Sequence, residues 1–192
     1  MSLPGLNFTD RMHLICVDMT QCVPALSHID MRKVAVGFCQ TRVDSPYGRY
    51  ATLVPLRFQN GAEEEVRRGR KVTLQKIINS QGIEMLYLLN FYVPRYFKGN
   101  FNERISTIAH ELMHISPRFD GDIRRFAGRC YAHSGNQKKY DAIADSLAQE
   151  WLAKCQNPDL YDFLQLSFEQ MLQKYGRISG SKYKSPKIIP VK

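Results

Sequence analysis

The sequence predicts an α+β domain, because a helical segment, three strand segments and three further helical segments follow one another along 192 residues. Apolar residues recur with a period of two in the strand segments and at helical spacing in the helical ones. Hydrophobic residues make up 44% of the chain, which is enough to bury a core at this length. We expect one domain over residues 1–176, with a small mixed or mainly antiparallel sheet packed against helices.

The first half contains one predicted helix and three predicted strands. Thr9 or Asp10 can cap a helix that ends before Pro24. Strands are expected at three places, within residues 31–42, 49–58 and 84–94. The third strand is almost wholly apolar, and we expect one of its edges, between Met85 and Tyr92, to remain free.

The second half is predicted to be helical. Asn100 or Asn102 can cap a helix that runs through Ser116 and is stopped by Pro117. Two more helices are expected, at residues 136–155 and 157–176. The last of them would begin after Asn157 and end at Gly176.

The formal charge is +9, and residues 177–192 supply more than half of it with five basic residues and no acidic one. Gly, Ser and Pro accompany these lysines, which predicts an extended, flexible tail. We interpret it as a solubilising terminus, with weak contact with a nucleic acid as the alternative. A second basic run, residues 67–71, follows three glutamates. Because the signs are mixed there, we interpret it as a solvated loop or helix end.

Cysteine usage and hydropathy predict a cytoplasmic protein. The five cysteines are scattered and odd in number, as is typical of free thiols in a reducing compartment. The sequence has no apolar run long enough for a membrane span and no signal-peptide pattern at its start. We therefore expect neither secretion nor a membrane partner.

The stretch "TIAHELMHISP" contains the most informative motif. On the helix predicted there, His110 and His114 lie one turn apart and point the same way, as two ligands of one metal ion must. Glu111 is placed beside them, where it can reach a water on the metal without binding the metal itself. Zinc lowers the pKa of such a water towards ~7, and the glutamate can take its proton as it attacks a carbonyl. The pattern predicts a zinc site with Glu111 as general base, the arrangement found in zinc peptidases.

A catalytic zinc needs a third protein ligand. Asp120, Asp122, His133 and Glu150 are the candidates downstream. Asp120 has the spacing used by metzincin peptidases, but Pro117 stands where their turn requires a glycine with positive φ. We favour His133, and the alternative of an aspartate stays open.

The loop after the motif offers residues for supporting roles. Asp120 and Asp122 could orient the ligand histidines, or could equally pair with Arg118, Arg124 and Arg125. Tyr131, or an arginine of this loop, could stabilise an oxyanion.

The stretch "AHELMHISPRFDGDIRRFAGRCYAH", followed by Ser-Gly and a helix with Tyr140, resembles zincin-like metallopeptidases of bacterial and phage genomes. It is similar to SprT-like proteases. The resemblance implies a zincin-like fold, zinc as cofactor, His110, His114 and His133 as ligands, and Glu111 as base.

The favoured interpretation is thus a zinc-dependent peptidase acting on a protein or peptide substrate. Two hypotheses from other classes remain: a nucleic-acid-associated module with a structural metal, and an inactive binding protein that keeps the same fold.

Overall fold

The computed structural model describes residues 3, 5–41, 48–126 and 137–191. These residues form an α+β fold of four α-helices and three small sheets. The helices are α1 (Phe8–Cys22), α2 (Phe101–Met113), α3 (Gln137–Lys154) and α4 (Phe168–Tyr175). The strands are β1 (Leu6–Asn7), β2 (Val34–Gln40), β3 (Ala51–Pro55), β4 (Glu64–Arg67), β5 (Arg70–Leu74), β6 (Tyr87–Val93), β7 (Ile178–Ser179) and β8 (Ile188–Pro190).

The main sheet has the order β2-β6-β3 and is mixed, since β2 is parallel and β3 antiparallel to β6. All three strands lie within the segments predicted from the sequence. The expectation of a free edge along Met85 to Tyr92 was wrong, because β6 is central and pairs on both sides. The strand at the edge next to α2 is β3.

The larger of the two apolar clusters among the described residues joins the sheet to the helices. Phe8, at the start of α1, meets five aromatic rings edge to face at its centre: Phe38, Phe91, Tyr96, Phe97 and Phe163. On α2, the stripe Ile105, Ile108, Ala109 and Leu112 is fully buried, as its helical spacing predicts. The opposite face of α2 is therefore left for polar side chains.

The predicted helix over 157–176 is shorter in the structure. Two 3₁₀ turns occupy Pro158–Leu160 and Asp162–Gln165, and α4 begins only at Phe168. A capping box sets this start, because Ser167 accepts the backbone N–H of Gln170 while the Gln170 side chain accepts that of Ser167.

The basic run and the tail meet in one sheet. The run that we interpreted as a loop or helix end is a hairpin, β4 to β5, turned by Arg68 and Gly69, both with positive φ. Strand β8 of the tail adds to β5, and β7 pairs with β1. Where the composition predicts a flexible tail after residue 176, the structure thus has an extended segment with two docked strands.

In the described part of the chain, no helix has the length and apolar character needed to cross a bilayer. The cysteines in that part, Cys16, Cys22, Cys39 and Cys155, form no disulfide. The cytoplasmic location stays a prediction.

Candidate metal and catalytic site

Helix α2 carries the His-Glu-x-x-His motif, and its start is firmly fixed. Asn100 and Glu103 form a capping box at its N-terminus. Arg104, buried in the first turns, donates to the backbone oxygens of four residues outside the helix: Phe97, Gly99, Leu164 and Leu166. These bonds hold the helix against the core, so the motif one to two turns later is placed on a rigid support.

The two histidines converge. Nε2 of His110 and Nε2 of His114 are 3.2 Å apart, and the two rings stand at 77°. Two nitrogens that bind one tetrahedral zinc at 2.0–2.1 Å lie about 3.3–3.4 Å apart. The histidine pair therefore fits two ligand positions of such an ion.

Helix α3 contributes a partner to each ring on the side away from this convergence. Oδ1 of Asp141 lies 3.1 Å from Nδ1 of His110, and the hydroxyl of Tyr140 lies 3.3 Å from Nδ1 of His114. When Asp141 accepts a hydrogen bond from Nδ1–H of His110, the lone pair of that ring is on Nε2, the atom that faces His114. Sequence reasoning missed Asp141; its position next to Tyr140 on the following helix was the available signal.

Two tautomers of His114 are compatible with these contacts. If Tyr140 donates to Nδ1, then Nε2–H of His114 donates to His110, and the pair is an ordinary hydrogen bond. If Tyr140 accepts from Nδ1–H, two Nε2 lone pairs face each other at 3.2 Å, an arrangement that needs a cation between them. Burial raises the pKa of Tyr140, so its hydroxyl stays protonated and can either donate to Nδ1 of His114 or accept from Nδ1–H.

Glu111 is buried, with 9% of its surface exposed, and its Oε2 accepts the backbone N–H of Leu53 at 2.7 Å. Burial raises the pKa of this carboxyl to about 7, although the Leu53 bond and the charge of Arg49 act in the opposite direction. Neither Arg104 nor Arg118 pairs with it in the described structure: the first binds backbone oxygens and the second pairs with Asp120. The carboxyl is therefore poised to exchange a proton near neutral pH.

The pairing of β3 explains why Leu53 can reach Glu111. Tyr50 and Leu56 are bonded to β6, so the even-numbered residues of β3 face β6 and the odd-numbered ones face the outer edge. At Arg57 this edge is covered, because the backbone N–H of Arg57 donates to the carbonyl of Gly121 in the loop after α2. Among the described residues, no backbone group pairs with this edge between Ala51 and Leu53, where the Leu53 N–H is bonded to the side chain of Glu111.

The other predicted site residues lie elsewhere. Asp120 pairs with Arg118, and Asp122 pairs with Arg125, so the ion-pair alternative describes both in this structure. Tyr131 and the predicted third ligand, His133, lie outside the described residues.

Among the residues that the structure describes, no three histidines, cysteines or acids are grouped so as to hold a metal ion. Comparison of the chain with models of protein families, with curated proteins and with solved structures found no match. The resemblance to SprT-like proteases therefore rests on the motif region alone.

A cavity of about 400 Å³ opens beside the motif, between α2, α3 and the beginning of β3. His110 and Glu111 line it from α2, Asp141 from α3 and Ala51 from β3. Its size is within the range of pockets that hold small ligands or side chains. The histidine pair, the buried carboxyl and the open strand edge thus border one space.

Proposed function

We propose that this protein is a zinc-dependent peptidase of the zincin type. The observation that carries the proposal is the convergence of two Nε2 atoms at 3.2 Å next to a buried glutamate with a pKa raised to about 7. Burying a carboxyl with a single backbone donor costs free energy, and a helix that only packs against a core does not require it. General acid–base chemistry needs such a group close to neutral pH.

In this proposal His110 and His114 hold the metal, together with His133 as predicted from the sequence. A zinc ion bound there would lower the pKa of a water molecule and polarise the carbonyl that the water attacks. Glu111 would accept the proton of that water and pass it to the leaving amine. Asp141 keeps the proton of His110 on Nδ1 and so leaves Nε2 available as a ligand.

The outer edge of β3 suits the peptide. An extended chain can pair with the outward backbone groups of Ala51 and with the carbonyl of Leu53. The N–H of Leu53 is bonded to Glu111, so the same strand that would align the substrate also positions the base. This assignment replaces β6, which has no open edge.

Metal content tests the proposal directly. We expect one zinc per chain in the parent and its loss in His110→Ala and His114→Ala, because neither variant retains two convergent nitrogens. Release of peptides from casein, an unfolded substrate, should stop when zinc is chelated. Equal zinc content in the parent and both variants would refute the site.

The measurement of zinc content also distinguishes a residue that binds the metal from a residue that only orients a ligand. Removing a ligand should abolish zinc binding, whereas removing a hydrogen-bond partner of a ligand weakens metal affinity by about 10–100-fold. We expect the first result for His133→Ala and the second for Asp141→Ala. The reverse outcome would contradict both assignments.

A nucleic-acid-associated role is the second candidate, favoured by one observation. The basic hairpin and the tail, distant in sequence, share one sheet, with β8 bonded to β5 and the N–H of Val191 bonded to the carbonyl of Lys71. If this sheet binds nucleic acid, affinity for DNA should fall steeply with salt, and deletion of residues 177–192 should weaken it. Salt-independent or unaltered binding would exclude this role.

A further inference from the structure

The cavity beside the motif has an unusual charge for this protein. Four carboxylates line it, those of Glu103, Glu111, Asp141 and Asp145, against one guanidinium, that of Arg49. The chain as a whole carries a formal charge of +9. The cavity is therefore a locally acidic site on a basic protein, and it attracts cations from its surroundings.

Among the described residues, no lysine or arginine forms an ion pair with the carboxylates of Glu103, Asp141 or Asp145. Asp141 instead lies next to the imidazole ring of His110. Glu103 accepts the backbone N–H of Asn100, and Asp145 accepts the hydroxyl of Ser106. These neutral donors fix the positions of Glu103 and Asp145 without adding a positive charge beside them.

The walls of the cavity are less polar than its mouth. Ala51 and Ala144 are buried and Tyr50 is half-buried, whereas Glu103 and Asp145 are exposed. A long aliphatic side chain with a charged end matches this arrangement, since its stem can lie on the apolar wall while its head meets the carboxylates. Lysine and arginine are the amino acids with that shape and charge.

The strand edge indicates that the ligand is part of a peptide. Ala51 belongs both to the open edge of β3 and to the wall of the cavity. Side chains of an extended peptide alternate between two sides, so a peptide paired with this edge directs one of its side chains into the cavity.

We propose that this cavity binds a lysine or arginine side chain of the substrate, close to the bond that is cleaved. The inference rests on the proposed peptidase function and adds a substrate preference to it. Glu103 and Asp145 are the specificity-determining residues, because no lysine or arginine in the described part of the chain pairs with them and they do not belong to the motif.

Peptides that differ at one position provide the test. A quenched fluorescent peptide with lysine is compared with versions that carry glutamine or glutamate at the same position, and the position is moved along the sequence. At one position we expect kcat/KM for lysine to exceed that for glutamine by about tenfold, as two partly exposed ion pairs allow. In the double variant Glu103→Gln/Asp145→Asn the rate for lysine should fall to that for glutamine.

A matched control changes the same net charge outside the cavity. Glu64→Gln/Glu65→Gln removes two carboxylates from β4, and this variant should keep the lysine preference. Cleavage without preference for a basic residue at any position, or a preference that survives the cavity variant, would overturn the inference while leaving the peptidase intact.

Binding measurements separate this inference from the proposed function. If the parent cleaves none of the peptides, the peptidase proposal fails, and calorimetry on the same lysine and glutamine peptides then decides the inference. Tighter binding of the lysine peptide that is lost in Glu103→Gln/Asp145→Asn supports the cavity. Equal affinities would refute it.

Discussion

Glu111 and Asp122 are both buried carboxylates, with 9% and 3% of their surfaces exposed, but their surroundings differ. Burial alone would raise both pKa values. Asp122 also receives the guanidinium of Arg125 and the backbone N–H groups of Asn60 and Ile123, which hold its pKa below the usual range. Glu111 receives one backbone N–H, and its pKa rises to about 7.

The number of donors therefore separates a carboxylate that stays ionised from one that titrates near neutral pH in this fold. Asp122 ties the loop after α2 to the rest of the domain and stays ionised. Glu111 can gain or lose a proton near neutral pH, which a general base must do. The variants below sharpen or break this comparison.

The largest loss of stability is expected at Asp122. In Asp122→Ala, Arg125 and two backbone donors lose their acceptor, and the free energy of unfolding should fall by about 3 kcal/mol. Denaturant unfolding measures this loss. The control is Asp120→Ala. Asp120 pairs with Arg118, whose side chain is 64% exposed, so the loss of this ion pair should lower the free energy of unfolding by less than about 1 kcal/mol. Equal losses in the two variants would contradict the structural role of Asp122.

Glu111→Gln should have the opposite effect in protein freed of zinc. Below pH 4 the carboxyl is protonated in the folded and unfolded states and contributes nothing. As the pH rises, the unfolded chain loses the proton near pH 4.5 and the folded protein near 7, so the parent loses about 3 kcal/mol of stability across this interval. Glutamine cannot ionise.

The variant should therefore be more stable than the parent by about 3 kcal/mol at pH 8 and equally stable at pH 4. Denaturant titrations at the two pH values, with a chelator present, provide the comparison. Asp122 has a lowered pKa, so its contribution is lost as the pH falls through the folded pKa. A stability difference between parent and Glu111→Gln that does not change with pH would show that Glu111 titrates normally.

A smaller effect, about tenfold on kcat, is expected when the single donor to Glu111 is removed. Leu53→Pro deletes the N–H that faces the outer edge, a position where an edge strand tolerates proline, as Pro55 in the same strand shows. Leu53→Ala keeps the N–H and serves as control. Steady-state kinetics should give a lowered kcat for the proline variant alone; equal rates in both variants would mean that the bond does not position the base.

The sequence predicted the supporting helix well, because local rules decide it. Asn100, three residues before Glu103, specifies the start of α2, and the apolar stripe specifies its buried face, which places His110 and His114 on the same side. The positions of the three strands of the main sheet were predicted for the same reason. The order of these strands was not predicted, because pairing between distant segments leaves no local pattern in the sequence. We therefore expected β6 to have a free edge, whereas it is the central strand.

Residues that depend on distant contacts were harder to predict. The bond between Glu111 and Leu53 joins residues 58 positions apart, and the contact of Asp141 with His110 depends on how α3 packs on α2. The hairpin of β4 and β5 was not predicted, because its mixed charges were interpreted as a solvated loop or helix end. Arg68 and Gly69 have the positive φ values that such a turn requires.

In the proposed mechanism Glu111 acts as general base beside a zinc ion held by His110 and His114. Glu111→Gln keeps the size of the side chain and can still bond the N–H of Leu53, but it cannot accept a proton. Zinc content and peptide release from casein, measured side by side, should show unchanged zinc and a rate lower by at least ~10²-fold. Equal rates at equal zinc content would contradict the claim.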